Sequence, residues 1–250
     1  LKDWDVNIYR GVLTGLNEAF IIDTPTKERL CAEDPKSAEI IKPILRGRDI
    51  KRYGYDWAGL WIIATFPVLN IDIDSYPAVK QHLLDFGKER LEQAGNTLPD
   101  GTKSRKKTSN KWFETQDQIG YYKEFEKEKI VWGNIAYDNT FSLLKSNIFL
   151  NAPGNMITSK NISLKYLLAC LNSKIFNFEF IKIGIFLGKA YEWKKQYVEQ
   201  VHIPIISNSN QSIVNQLESL VDEILSLKSN NLNSDTTHLE KQIDQLVYQL

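Results

Sequence analysis

The sequence predicts an α+β fold, in which a body built on mixed β-sheet is followed by a C-terminal helical hairpin. Short runs of β-branched and aromatic residues, bounded by Gly, Pro, Asn or Asp, recur over residues 4–150 and are typical of strands. Other stretches carry apolar residues at helical spacing. A chain of 250 residues that is 42% apolar and 25% charged is large enough to bury a core. We therefore expect a body over residues 1–204 and a hairpin over residues 205–250.

The start of the chain predicts a strand, a tight turn and a second strand over residues 4–22, with Gly11 and Gly15 at the turn. A helix is expected to begin near Thr24, because Pro25 suits a first helical turn. The first elements are thus predicted to alternate strand and helix.

Three further stretches of the N-terminal half have distinct patterns. Residues 42–52 are predicted to form a basic loop around Gly47. Residues 60–69 predict a central strand that ends or bulges at Pro67. Residues 77–93 carry apolar residues at helical spacing and predict one helix.

The middle of the chain begins with a stretch that lacks apolar periodicity. Residues 96–110 are rich in Gly, Pro, Ser, Thr and Lys, so we expect a mobile surface loop. Residues 129–150 predict a second group of strands, and residues 163–172 predict a helix. Residues 176–186 form an aromatic, β-branched stretch that glycines end.

The C-terminal part of the chain predicts two helices that fold back on each other. Apolar residues recur there at spacings of three and four, which is typical of a coiled-coil-like seam. The seams comprise Ile213, Leu217, Leu220, Ile224 and Leu227 in the first helix, and Leu239, Ile243, Leu246 and Leu250 in the second. The polar linker over residues 229–237 allows the hairpin to close.

Composition excludes several functional classes. Lys and Arg total 31, as do Asp and Glu, so nucleic-acid binding would have to rest on local clusters of charge. The two cysteines and three histidines provide neither a disulfide framework nor zinc-ligand spacing. The longest apolar run is far shorter than the roughly 18 residues of a membrane span, and no secretory signal is recognisable. We expect a soluble, cytoplasmic chain without a metal, taken from a larger protein.

Charge is segregated along the sequence. Residues 42–52, 103–111 and 182–195 together hold fourteen basic and two acidic residues, whereas residues 218–244 hold six acidic and two basic ones. A single basic run is most often a solvated face. Three such runs, each loop-like and interleaved with aromatic residues, favour an interface with duplex DNA, because Lys and Arg neutralise phosphates and Arg can read a guanine edge.

The candidate DNA-binding residues come from these three runs. They are Arg46, Arg48, Lys51, Arg52, Lys103, Arg105, Lys106, Lys107, Lys111, Lys189, Trp193, Lys194 and Lys195. The amide and carboxylate groups of Gln116, Asp117 and Gln118 face solvent or read an adenine or cytosine edge, and the sequence leaves both alternatives open. The acidic hairpin is expected to be a brace or docking surface.

No recognisable catalytic motif is present. The sequence contains no phosphate-binding Gly-rich loop, no G-x-S-x-G element and no Asn-Pro-Pro-aromatic element of the kind amino-methyltransferases use. Asp100, Glu126, Glu128 and Lys129 form only a loose nuclease-like pattern, since Asp100 lies in the predicted mobile loop. We expect that this chain alone is not an enzyme and has no catalytic or metal-binding residues.

Seven stretches of the chain resemble one family. They are RGVLTGLNEAFIID (10–23), ILRGRDIKRY (44–53), YPAVKQHL (76–83), WFETQDQIGYYKEFEKEKIVWGNIA (112–136), YLLACLNSKIFNF (166–178), KKQYVEQVHIPI (194–205) and LEKQIDQLVYQL (239–250). In this order they are similar to the TaqI-like C-terminal specificity domain, the target-recognition part of type IIG restriction-modification enzymes and related adenine-N6 DNA methyltransferases.

The resemblance implies a DNA-recognition module without catalytic activity of its own. It also implies that a methyltransferase region, and often a nuclease region, lies N-terminal to it in the same polypeptide. S-adenosylmethionine, and Mg²⁺ for cleavage, would be cofactors of that region, and duplex DNA would be the partner of this one.

Other interpretations predict different behaviour. Half of a type I restriction specificity subunit would bring a second recognition domain and a longer helix. A scaffolding module whose helices recruit a protein would have no salt-sensitive DNA affinity. A stand-alone nuclease would cleave DNA in a manner that depends on a divalent metal.

Overall fold

The computed structural model of the chain describes residue 1, residues 4–145 and residues 147–250, and its elements confirm the α+β class. The strands are β1 (Val6–Arg10), β2 (Ile21–Asp23), β3 (Ile41–Leu45), β4 (Ile50–Lys51), β5 (Gly54–Tyr55), β6 (Leu60–Ile63), β7 (Lys129–Trp132), β8 (Ile135–Ala136), β9 (Phe141–Leu144), β10 (Phe149–Leu150), β11 (Asn155–Ser159), β12 (Ile185–Phe186) and β13 (Tyr191–Glu192). The α-helices are α1 (Asn17–Phe20), α2 (Thr24–Glu33), α3 (Pro77–Leu84), α4 (Lys88–Leu91), α5 (Leu164–Leu171), α6 (Lys174–Ile183), α7 (Lys195–Val198), α8 (Gln211–Asn230) and α9 (Thr237–Val247).

Two larger sheets form the body. The first sheet has the strand order β1-β11-β7-β9, and every neighbouring pair in it is antiparallel. The second has the order β10-β3-β6-β2 and is mixed, because β10 runs parallel to β3. The predicted central strand lies inside the second sheet, but β6 ends at Ile63 and is shorter than the predicted residues 60–69, because Pro67 begins a 3₁₀ turn.

Side chains that alternate along the strands create the layers of the fold. Along β7, Ile130 and Trp132 enter a core with the C-terminal helices, whereas Val131 enters a core between the two sheets. Along β6, Ile62 faces that inter-sheet core, and Ile63 faces a third core with α2 and α3. The layers therefore run helix, sheet, sheet, helix.

The predicted strand-turn-strand at the start of the chain is corrected in its pairing. β1 joins the first sheet, and β2 joins the second, with the short helix α1 between them. The predicted loop over residues 42–52 is also partly wrong, because its start belongs to β3 and its end to β4. The single helix predicted over residues 77–93 is divided into α3 and α4 at Gly87, whose φ of 85° interrupts the helical conformation.

The stretch over residues 176–186 is mainly helical despite its β-branched and aromatic composition. The Ser173 side chain accepts a hydrogen bond from the backbone N–H of Phe176 and so caps α6. Phe176 and Phe180, four residues apart, then bury against the C-terminal core. Packing of one face has outweighed the intrinsic preference of the sequence for strand.

The two predicted C-terminal helices are confirmed, but the buried face of the first is rotated from the predicted seam. Val214, Leu217, Val221 and Ile224 are the buried residues of α8, whereas Leu227 of the predicted seam is exposed. Leu239, Ile243 and Val247 are buried in α9. Both helices share one core with α5 and the outer face of the first sheet.

Candidate nucleic-acid interface

At one end of the first sheet, β1 and β7 end and β11 begins. In the sheet register, Arg10 is opposite Asn155, and Asn155 is opposite Trp132. The loop that leaves β7 after Trp132 begins with Gly133 and Asn134. These polar and charged side chains are thus held side by side by the strand register.

The first basic run, residues 42–52, lies against this end of the sheet. A Cβ added to Gly133 would lie 3.0 Å from the carbonyl oxygen of Gly47, so the two backbones approach closely. Arg46, which precedes Gly47, makes a two-point contact with Asp49, with N–O distances of 2.9 and 2.8 Å. Arg48 is exposed. The close approach of Gly47 and Gly133 brings the loop that carries both arginines next to this end of the sheet.

The third basic run contacts the same end of the sheet. The backbone N–H of Trp193 donates to the carbonyl of Asn134 at 2.8 Å. The next two residues, Lys194 and Lys195, are exposed, and the Lys195 amino group donates to the carbonyl of Ile8 in β1 at 3.3 Å. Lys194 also pairs with Glu192 at 2.8 Å.

A cleft of about 460 Å³, which we call the basic cleft, opens between these segments. It is lined by Arg10, Asn134, Pro153, Asn155, Lys194, Lys195, Gln196 and Glu199. Cationic side chains provide attraction for phosphates, and the amides provide donors and acceptors of the kind that read base edges.

The second basic run is connected to this region through Asp117. Burial raises the pKa of the Asp117 carboxyl, and the positive charges of Arg10 and Lys106 oppose the rise. The backbone N–H groups of Gln116 and Asp117 donate to the carbonyl of Leu13 at 3.1 and 3.2 Å, which fixes their segment just beyond β1. Residues of the first and third basic runs therefore lie at one end of the first sheet, and the segment that follows the second run lies just beyond β1.

The loop over residues 96–110 contains more fixed structure than the sequence predicts. Its two limbs are joined by backbone hydrogen bonds from Ser104 to Asn96 and from Gly95 to Arg105, each 2.9 Å long. Thr97 and Lys103 form an isolated β-bridge. The predicted mobility rested on the lack of an apolar anchor, and the structure shows that a polar side chain of this stretch is buried instead.

That side chain is Arg105, whose predicted role at the DNA surface is corrected. The residue is only 3% exposed, and its guanidinium donates to the carbonyls of Leu91, Thr14, Glu114 and Trp112 at 2.6–2.9 Å. Burial lowers the pKa of this guanidinium to about 10, while the negative charges of Glu92 and Glu114 act against the shift. Arg105 ties together four segments of the chain, and its donors are directed inward.

Two more candidates have structural partners inside the protein. Trp193 is 1% exposed, stacks on Phe180 at a ring distance of 3.7 Å and donates its Nε1 hydrogen to the carbonyl of Ala136. Arg52 donates from Nε to Glu240 of α9 at 2.5 Å and from its terminal nitrogens to Asn139 and Asn172. Both residues stabilise the fold, and neither side chain is directed toward the basic cleft.

The other candidate residues lie at the surface, some of them at the basic cleft and others away from it. Arg46 is half-buried, and Arg48, Lys51, Lys103, Lys106, Lys107, Lys111, Lys189, Lys194 and Lys195 are exposed. Lys194 and Lys195 line the cleft, Arg48 belongs to the loop beside it, and Lys51 lies in the β4–β5 hairpin, whose Gly54 packs against Leu232 beyond α8.

Arg10, Asn134, Asn155 and Gln196 were not identified by the sequence analysis. None of them belongs to a dense basic run, except that Gln196 follows Lys195 directly. A sequence signal existed for Arg10 alone, because it is a charged residue at the junction of an alternating strand and a glycine turn. Strand register brings Asn155 to the site, whereas Asn134 lies in the loop after β7 and Gln196 in α7, and the sequence specifies none of these placements.

The loose nuclease-like pattern does not form a common site. Lys129 is fully buried, and its amino group donates to the carbonyls of Phe125 and Lys127 at 2.7 and 3.1 Å, whereas Asp100, Glu126 and Glu128 are exposed. No group of three or more His, Cys, Asp or Glu side chains within residues 4–145 and 147–250 is arranged to hold a metal ion. No helix in the described part of the chain is long and apolar enough to cross a membrane.

Residues 42–205, more than half of the chain, match the family described as the TaqI-like C-terminal specificity domain. No curated protein sequence matches the chain.

Two solved structures share the fold. One is the type IIL restriction-modification enzyme MmeI in complex with DNA, with a TM-score of 0.69 and 13% sequence identity over 98% of this chain and 32% of that one. The other is the type IIG restriction endonuclease BpuSI, with a TM-score of 0.54 and 14% identity over 99% of this chain and 31% of that one. The chain thus spans about a third of the length of each protein it resembles.

Proposed function

The chain belongs to the TaqI-like C-terminal specificity domain family, and from this premise we propose that it recognises duplex DNA on behalf of a larger restriction-modification enzyme. The body over residues 1–204 would contact the DNA, and the hairpin over residues 205–250 would brace the body or dock another region.

The observation that carries this proposal is the convergence of basic segments around the basic cleft. Arg10, Lys194 and Lys195 line the cleft, and the loop of Arg48 lies next to it, although the chain as a whole has no net charge. Concentrated positive charge on one side of a neutral protein attracts a polyanion and orients it.

Base recognition in this proposal depends on the polar groups of the cleft. Asn134 and Gln196 carry amides, which pair with adenine in the major groove through two hydrogen bonds. Asn155 is only 6% exposed and donates its amide hydrogen to the carbonyl of Pro153, so it lines the floor of the cleft. Outside the cleft lining, the half-buried Asp117 is an acceptor that suits the amino group of cytosine. The lysines fix the position of the backbone, and these groups would discriminate between sequences.

We further propose that catalysis belongs to another region of the intact enzyme. That region would be an N-terminal methyltransferase, with or without a nuclease, using S-adenosylmethionine and, for cleavage, Mg²⁺. The names of the two similar proteins, each about three times as long as this chain, support this division. The cytoplasmic location predicted from the sequence accords with an enzyme that acts on cellular DNA.

The test is a fluorescence anisotropy titration of the purified chain with mixed-sequence duplex DNA at several salt concentrations. We expect log affinity to fall linearly with log salt, and the Lys194→Gln, Lys195→Gln double variant to bind more weakly, with a slope smaller by about 2.

The control removes the same charge elsewhere. Lys160 follows β11 at the end opposite Asn155, and Lys241 lies on α9 and is exposed. The Lys160→Gln, Lys241→Gln variant should bind like the wild type. Equal effects of the two double variants, or affinity that does not vary with salt, would contradict the proposed interface.

A further inference from the structure

A protruding hairpin next to the basic cleft carries exposed apolar side chains. Strands β12 and β13 pair through Ile185 with Glu192 and through Phe186 with Tyr191. The backbone N–H of Leu187 donates to the carbonyl of Ala190 at 2.7 Å, which closes the turn. We call Ile185, Phe186 and Leu187 the apolar tip.

The apolar tip projects from the body. Ile185, Phe186 and Leu187 are 43%, 58% and 50% exposed. Gly188 has a φ of 85°, and a Cβ placed on it would meet no described atom within 4 Å. Large apolar side chains are thus presented to solvent on a tight, hydrogen-bonded turn, which is a costly arrangement unless a partner covers them.

The surroundings of the apolar tip are cationic. Lys189 lies in the turn itself, and the Lys182 amino group stands 3.8 Å from the centre of the exposed Phe178 ring. The acid of the hairpin, Glu192, is paired with Lys194. The centres of protein–protein interfaces are depleted in lysine, because burying an ammonium group is costly, whereas a partner that carries phosphates compensates its charge.

The apolar tip is also continuous with the basic cleft. β13 lies between β12 and β8, and Asn134, which lines the cleft, immediately precedes β8. Lys194 lines the cleft two residues after Glu192 of the hairpin. A duplex that occupied the cleft would therefore extend toward the apolar tip.

We propose that the apolar tip is a wedge that inserts Phe186 and Leu187 between base pairs of the bound duplex. This inference rests on the proposed DNA-binding function. Apolar side chains of this kind unstack a base step and kink the helix, and phosphates that flank the step would be held by Lys182 and Lys189. The contact is with base faces, so it is tolerant of sequence.

The experiment compares a fully paired duplex with the same duplex carrying one central mismatch, in which unstacking is already partly accomplished. The wild-type chain should bind the mismatched duplex about tenfold more tightly. The Phe186→Ala, Leu187→Ala variant should lose this preference while its affinity for the paired duplex keeps its salt dependence. The Ile205→Ala, Tyr248→Ala variant removes two apolar side chains outside the β12–β13 hairpin, which are 78% and 82% exposed, and should behave like the wild type.

The remaining outcomes are decisive as well. Salt-dependent binding by the wild type without a preference for the mismatch would overturn the wedge and leave the proposed function standing. Equal loss of affinity for both duplexes in the tip variant would also overturn it, as would a dimer, detected by light scattering, that the tip variant dissociates. If the wild type bound neither duplex, both proposals would fail.

Discussion

A single buried cation, Arg105, organises the segment that the sequence predicts to be mobile. Its guanidinium donates to four carbonyls and lies over the Phe20 ring at 4.9 Å. In a sequence, Lys106 and Lys107 are indistinguishable from it, because a charge run gives no information on which member turns inward. The exposed neighbours on this loop owe their placement to the buried one.

Replacement of Arg105 should therefore destabilise the fold more than it alters surface charge. We expect Arg105→Met to lower the free energy of unfolding by about 3 kcal/mol, because buried carbonyls would lose their donors. Urea denaturation measures this loss. Lys107→Met, on the same loop but exposed, is the matched control and should be nearly neutral. If the two variants were equally stable, Arg105 would not be the anchor.

The buried amino group of Lys129 makes the free energy of unfolding depend on pH in the alkaline range. Burial lowers the pKa of its amino group from 10.5 to about 8. Between these values the unfolded chain holds a proton that the folded chain has released, so the free energy of unfolding rises with pH. Below pH 8 the ammonium is charged in both states, and its full cost of burial opposes folding.

The expected gain from this residue between pH 7 and pH 10 is about 2 kcal/mol relative to Lys129→Met, which does not titrate. Urea denaturation of both proteins across that range isolates the contribution of Lys129, because other titrating groups are common to the two. Parallel pH profiles for the wild type and the variant would show that the amino group is not buried as described.

At the scale of elements, the rotated seam of α8 shows how packing selects among overlapping apolar patterns. Residues 213–227 contain two possible stripes, and the α5 surface covers the one that passes through Val214 and Val221. We expect Val221→Asp, at 0% exposure, to lower the free energy of unfolding by several kcal/mol. Leu227→Asp, at a position 37% exposed, should cost far less. Thermal melting compares the two, and the reverse order would restore the predicted seam.

The elements that the sequence predicts well are those with local signals. α2 begins after Asp23, whose side chain accepts from the N–H of Thr26, and α5 begins after Ser163, which caps it in the same way. β6 is an apolar run bounded by a proline. By contrast, the separation of β1 and β2 into different sheets depends on pairing with distant strands, for which no local signal exists.

The residues of the candidate site also fall into two groups, those that a local sequence signal identifies and those that only the pairing of distant segments brings together. The charge runs include Lys194 and Lys195, which the structure places as exposed cations in the cleft lining, but they also include Trp193 and Arg52, which are held inside the fold. Arg10 and Asn155 enter the site because a register of β1 with β11 places them opposite each other. Such residues become visible only when the sheet is known.

At the scale of the whole molecule, the acidic C-terminal helices and the basic cleft have separate surroundings. α8 and α9 pack on the outer face of the first sheet, and the cleft lies at the end of that sheet where β1 and β7 end. Arg52 and Glu240 connect the β4–β5 hairpin with α9. The proposed DNA contact and the proposed bracing or docking role therefore fall on different elements of the fold.

Backbone hydrogen–deuterium exchange with and without duplex DNA tests this central claim most directly, because it reports on all segments at once. The account predicts added protection in residues 10–12, 104–107, 132–135 and 193–196, which are distant in sequence and converge in the fold, and unchanged exchange in residues 211–247. Protection confined to residues 211–247, or no protection in any of the converging segments under conditions where DNA is bound, would contradict it.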